Sequence, residues 1–286
     1  GGAVLMWFKG KPKTPSVNPL ASIPVADLRT ITITSANMTT TLNQKEGKWL
    51  LEANIQEEAD ANAMDRLIAA LEAFSIGSVV SENPANHAKF ELTKEQAPHL
   101  KVFVRGHETT PILDLYVGKS ATTAPGDSFV RFEGSDQVRI AAALPSYLFK
   151  KTPNDYRVSK IFTSNLTQAR SVHIAQGKSE WTLINSSGVW VCLEAKRMVD
   201  TNNISALINK MNSWYAPEFA SGLEAPGQYG TEKPFMEIKT QFDSGITTTR
   251  IGNVFKTIAT RDGSTLETRF VKVEGRQALP LLPTAV

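Results

Sequence analysis

Gly47-Lys48-Trp49-Leu50-Leu51 returns later in the chain as Gly188-Val189-Trp190-Val191-Cys192, and this recurrence sets the reading of the whole sequence. Each copy is preceded by a turn, Glu46-Gly47 in one case and Ser187-Gly188 in the other, and each turn is preceded by alternating, strand-like stretches. In the first copy these are 28–35, with Ile31 and Ile33 on one face, and 38–43; in the second they are 171–175 and 181–184. Apolar residues at every second position between short Gly-containing turns specify half-buried antiparallel strands. Internal repetition of this kind governs the fold and is weighed before any single motif.

Beyond each Trp stands an Asp suited to cap a helix: Asp60 ahead of 61–74 and Asp200 ahead of 201–214. The two segments match position for position, Asn62 with Asn202, Leu67 with Leu207, Ile68 with Ile208, Leu71 with Met211 and Phe74 with Trp214. Residues 204, 207, 208 and 211 form a stripe at helical spacing, which predicts a helix packed by one face into a core. Downstream, Phe90-Glu91-Leu92 aligns with Tyr229-Gly230-Thr231, 100–105 with 235–240, Leu113–Gly118 with Thr247–Gly252, and Val130–Gly134 with Val271–Gly275. The expected class is α+β: two tandem copies of an antiparallel-sheet unit with one main helix each. The first copy is expected over 25–150 and the second over 151–286, joined through 145–154, with Tyr147, Leu148, Phe149, Ile161 and Phe162 buried to make the junction stiff.

Residues 1–24 read as the end of a membrane anchor followed by a Pro-rich linker. Val4, Leu5, Met6, Trp7 and Phe8 are too few to cross a bilayer, which takes about 20 apolar residues. A Trp at that position, a collar of Lys9, Lys11 and Lys13, and then Pro12 and Pro15 nevertheless resemble the last turns of a spanning helix. The alternative is an N-terminal tail whose apolar residues pack on the domain.

The 286 residues carry 31 Lys and Arg against 28 Asp and Glu, a net charge of +3, so no nucleic-acid-binding surface is indicated. With 41% hydrophobic residues the chain can build two cores. The single cysteine, Cys192, forms no internal disulfide and no Cys-rich metal site. It lies on the same strand face as Trp190 and is expected to be buried and inert.

No motif carries chemistry through to an active site. Gly118-Lys119-Ser120 ends like a phosphate-binding loop, but Leu113 stands where the loop needs its first Gly, and the segment reads as a strand. His107-Glu108 begins like a zinc-protease helix, but Pro111 occupies the place of the second His. His87, His99 and His107 are expected in solvated loops, and His173 as a hydrogen-bonded strand residue. Glu57-Glu58-Ala59-Asp60 reads as acidic residues favoured at a helix N-terminus. No catalytic, cofactor-binding or metal residues are assigned. The longest irregular segments, 120–127 and 216–230, are the candidates for partner contacts.

The Trp-bearing hairpin, the Asp-initiated helix, the Phe90/Tyr229 step, the strand ending Val117-Gly118-Lys119, the Phe129-Val130-Arg131-Phe132 strand and the Pro153-Asn154-Asp155-Tyr156-Arg157 junction together resemble a bacterial family. It is the one catalogued as domain of unknown function 4340, and the likeness spans residues 25–280. The resemblance implies an N-terminal membrane anchor, an extracytoplasmic (periplasmic) soluble part, and a neighbourhood of ABC-transporter and gliding-motility components. It supplies no catalytic residues. The expected role is a membrane-tethered accessory or scaffolding subunit, not an enzyme and without cofactor, bound to a larger membrane complex such as an ABC-type transporter. The alternatives are an envelope hydrolase and a small-molecule or lipid-binding module.

Overall fold

The structure is a computed structural model describing residues 17–35, 38–52, 55–195, 200–259 and 264–284. The anchor-like residues Val4, Leu5, Met6, Trp7 and Phe8 lie outside the described residues. Among the described residues the chain is mostly antiparallel sheet with two α-helices and several short 3-10 turns. It divides into two compact units: the chain up to Leu51 with Ala59–Tyr156, and Glu52–Glu58 with the chain from Arg157 on.

The first unit contains β1 (Leu28–Ser35), β2 (Met38–Lys45), β3 (Lys48–Glu52), α1 (Ala61–Ala73), β5 (Ser75–Ser81), β6 (His99–Val104), β7 (Leu113–Ser120), β8 (Ser128–Phe132) and β9 (Val138–Ala142). The intervening two-residue strand β4 (Glu57–Glu58) lies in the segment that groups with the second unit. The first unit's strands run in the order β3-β2-β1-β6-β7-β8-β9-β5. Strand alternation puts Ile31, Ile33, Leu100, Val102, Leu115 and Val117 on the face that packs under α1. The helix answers with Ala63, Met64, Leu67, Ala70 and Leu71, all buried at helical spacing. Asp60 caps it by accepting from the Ala63 N–H at 2.8 Å, worth about 0.5–2 kcal/mol. The helix stops at Ala73, where the extended backbone of Phe74 turns the chain into β5.

The second unit contains β10 (Ser171–Gln176), β11 (Ser179–Ser186), β12 (Val189–Cys192), α2 (Thr201–Asn212), β13 (Glu218–Phe219), β14 (Met236–Phe242), β15 (Gly245–Ala259), β16 (Thr265–Val273) and β17 (Pro280–Pro283). Its eight strands run in the order β12-β11-β10-β14-β15-β16-β17-β13. Asp200 accepts from the Asn202 N–H at 2.8 Å. The helix ends two residues short of the expected 214, because the Ser213 hydroxyl and N–H both return to the Lys210 carbonyl. Positive φ at Glu46 and Gly47, and again at Ser187 and Gly188, gives both hairpins the left-handed pair of residues that matches strand twist.

Three expectations need correction. Of the junction residues, Leu148, Phe149, Ile161 and Phe162 are buried, but Tyr147 is exposed, on the outer side of a short 3-10 turn. Glu57 is not a helix-dipole residue: its carboxylate pairs with the Arg157 guanidinium at 2.6 Å, both side chains being over 90% buried. Segment 216–230 is not all irregular, since β13 pairs there with β17 and the Ser221 and Gly222 N–H groups bond to the Glu224 carboxylate. The junction motif is therefore structural. Tyr156 is buried in the first unit's core, while Arg157 anchors the second unit through Glu57 and the Ile55 carbonyl. Removing either partner of so buried a pair would strand a charge, a cost of about 3–5 kcal/mol.

Candidate functional site

The residues singled out in the sequence are placed by the sheets. Trp49 and Trp190 are buried in the cores of their units, and Asp60 and Asp200 are caps. Gly118 is the last buried residue of β7 before Lys119 and Ser120 turn outward. A Cβ on Gly118 would collide with the Phe90 carbonyl oxygen, and one on Gly252 would collide with the Tyr229 carbonyl oxygen. Close backbone approach, not phosphate, accounts for glycine there.

The histidines separate. His107 is exposed, His87 bonds to the Asp136 carbonyl at 3.0 Å, and His173 lies beside the Thr182 hydroxyl at 3.2 Å. His99 is the exception to its expected place in a solvated loop. It opens β6 half-buried, with Nε2 2.5 Å from an Asp114 carboxylate oxygen and 3.9 Å from Glu133. Its ring stacks on Tyr116 at 4.2 Å. The register explains the meeting: His99 stands opposite Tyr116, and Lys101 opposite Asp114, so one sheet face gathers residues far apart in sequence.

His99, Asp114 and Glu133 bring ligand-type atoms within 4.8 Å of one another, a donor set that suits a divalent cation. The surrounding charges oppose that use. Glu133 accepts from the Tyr116 hydroxyl and from Lys94 at 3.0 Å, Lys101 lies 3.8 Å from Asp114, and the Arg131 guanidinium sits 4.4 Å over the Tyr116 ring. The Tyr116 bond and Lys94 hold the Glu133 carboxyl down at about 2. Burial, then the bond to Glu133, pushes the Tyr116 hydroxyl up to about 12. The second sheet carries an ion network on the corresponding strands: Glu237 pairs with Arg250 at 2.8 Å and Lys239 at 3.0 Å, and Glu274 accepts from the Thr248 N–H. The His99 cluster is one version of a saturated sheet-face network.

A different feature lies in the second unit. Between α2 and the inner face of the second sheet lies a cavity of about 480 Å³, within the 300–1,000 Å³ usual for ligand pockets. Its floor is Ile174, Gln176, Trp181, Leu183, Met236 and Ile238, its roof Ile204, Leu207 and Met211, and its ends Cys192 and Trp214. Trp181 is 39% exposed and Leu207 42% exposed. The helical stripe expected to be all core thus splits: Ile204, Ile208 and Met211 are buried, whereas Leu207 is left at the cavity rim. Cys192 is half-buried where burial was expected: it packs against the second core on one side and lines this space on the other, and its thiol lies 3.7 Å from a Glu194 oxygen. The lining bears no carboxylate, histidine or lysine. Among the described residues the buried indole Nε1 of Trp214 finds no hydrogen-bond partner. Nothing in the sequence marks this site, because its residues have the ordinary composition of a core; only the exchange of Leu51 for Cys192 and Thr40 for Trp181 between matching strands hints at it.

No curated protein matches the chain, and neither does any solved structure. A family model described as Domain of unknown function (DUF4340) matches residues 21–234, from ahead of β1 to just before β14, and the chain therefore belongs to the DUF4340 family.

Proposed function

We propose that the two units are tandem copies of one plan, and that the chain is a non-enzymatic binding subunit whose binding site is the apolar cavity under α2. Duplication is supported by sheet orders that correspond strand for strand, by an Asp cap on each helix, and by the paired glycine clearances at Gly118 and Gly252. The single observation that carries the binding reading is the cavity of about 480 Å³ with its exposed Trp181 and Leu207 rim. An open apolar space forfeits packing that a core would otherwise gain, and an occupant recovers it. A lining without acid or base groups supports binding over catalysis.

In this proposal the subunit is tethered in the cell membrane through its N-terminus with the soluble part periplasmic, and serves as an accessory of a larger membrane complex such as an ABC-type transporter. The support is the Val4–Phe8 run with its lysine collar, read from sequence. Among the described residues no helix is long and apolar enough to cross a membrane. A neutral apolar fluorophore such as N-phenyl-1-naphthylamine is expected to bind one to one and to be lost once Cys192 carries a bulky maleimide. Binding that survives that modification would sink the site. Mild solubilisation of native membranes should recover the chain with integral membrane partners; a strictly monomeric, partner-free particle would overturn the accessory role.

A further inference from the structure

The cavity under α2 has a long direction. Its floor stands on four neighbouring strands, with Cys192 on β12, Leu183 on β11, Ile174 on β10 and Ile238 on β14. Leu183 pairs with Cys192, and Ile174 pairs with both Trp181 and Ile238, so these side chains share one face of the sheet. Three gaps of about 4.8 Å carry the floor about 14 Å across the sheet. The roof residues Ile204, Leu207 and Met211 cover about 10 Å of helix above it. Spread over that length, about 480 Å³ is a trough roughly 6 Å wide. At ~30 Å³ for a group the size of a water molecule it holds about 16 non-hydrogen atoms, in file and not in a block.

We infer that the occupant is the unbranched acyl chain of a single-chain anionic amphiphile of the fatty-acid type, lying along α2 with its head group in water beside Gln176 and Lys178. The inference rests on the binding reading above and names its ligand class. The lining selects against polar guests. Gln176 is its one side chain with a strong hydrogen-bond acceptor, so the N–H groups of a peptide, or the hydroxyls of a sugar, would be desolvated there with too few partners. A run of methylenes brings no such groups. Met211 and Met236 supply adaptable thioethers that close on a flexible chain, and the exposed Trp181 and Leu207 leave the trough open along one side. The margins set the direction. Glu194 stands by Cys192 and repels an anion on that side, whereas Gln176 leads directly into the exposed Gly177-Lys178 turn. Glu180, the nearest acid in sequence to that lysine, sits 4.0 Å from His173, on the opposite face of the sheet.

The test loads the chain with N-phenyl-1-naphthylamine and displaces it with saturated alkanoates from hexanoate to palmitate, each below its micelle concentration. Every added methylene should tighten displacement about four-fold, and the gain should level off at about 12–16 carbons, where the trough is full. Displacement that does not depend on chain length, or none by any alkanoate while the fluorophore binds, overturns the acyl chain and leaves the cavity reading standing. If the fluorophore does not bind the unmodified chain at all, the cavity reading falls first. Lys178→Glu, at an exposed turn outside the lining, should weaken dodecanoate at least three-fold and leave dodecanol unchanged. A variant that binds dodecanoate as tightly as the original chain overturns the placement of the head group.

Discussion

Leu67 and Leu207 align in sequence on two helices that each begin with an Asp cap, yet Leu67 is fully buried and Leu207 is 42% exposed. The helices are of nearly equal length, 13 and 12 residues. What differs is the surroundings: Leu67 lies within a buried cluster that includes Leu148, Phe149 and Tyr156, while Leu207 lines a cavity of about 480 Å³. A matched pattern in sequence thus specifies where a helix lies, but the burial of each residue on it depends on what else arrives.

The sharpest way to break this comparison is Leu67→Ala against Leu207→Ala. The first should cost about 2–5 kcal/mol, as large-to-small changes in closed cores do. The second should stay near 0.5 kcal/mol, the range of surface positions. Urea denaturation followed separately for each unit would read the difference, and equal costs would mean that the second core is closed. Gly118→Ala and Gly252→Ala test the opposite, shared side of the plan: each should lose about 1–3 kcal/mol by overpacking against a backbone carbonyl, and a neutral result at either site would separate the two units. Cys192→Leu restores the residue found at Leu51 and should stabilise the second unit by about 0.5–2 kcal/mol, as cavity filling does, while slowing the uptake of apolar probes.

Smaller again are the caps. Asp60→Ala and Asp200→Ala should each cost about 1 kcal/mol, seen as a lowered thermal midpoint. The smallest effect is electrostatic and distinguishes the two sheet faces. Glu133, held down at about 2, contributes stability that is present above the ordinary carboxylate range and lost as pH falls through it toward 2. Tyr116, pushed up to about 12, contributes stability that is present below its ordinary value of 10 and lost as pH rises from there toward 12. Carbon-detected NMR titration should place the Glu133 midpoint well under that of a free Glu, and Tyr116→Phe should raise it toward the ordinary value.

Much of this architecture was legible because strands and helices write their periods into the chain. Ile31 and Ile33 alternate with polar neighbours, Asp60 and Asp200 precede helical stripes, and two Xaa-Gly turns sit before two tryptophans. The sheet-face network was not legible, since His99, Asp114 and Glu133 meet only through the register of β6, β7 and β8, which no local spacing encodes. Glu57 was misread for the same reason: its partner, Arg157, is one hundred residues away.

Local pattern therefore settled most of the strands in their order along the chain and the two helices with their caps, because each follows from a residue and its near neighbours. Which core would close and which would stay open was settled by packing at long range. Whether a residue of a helical stripe is covered or lines an open space depends on elements far away in the chain, and no local spacing records them.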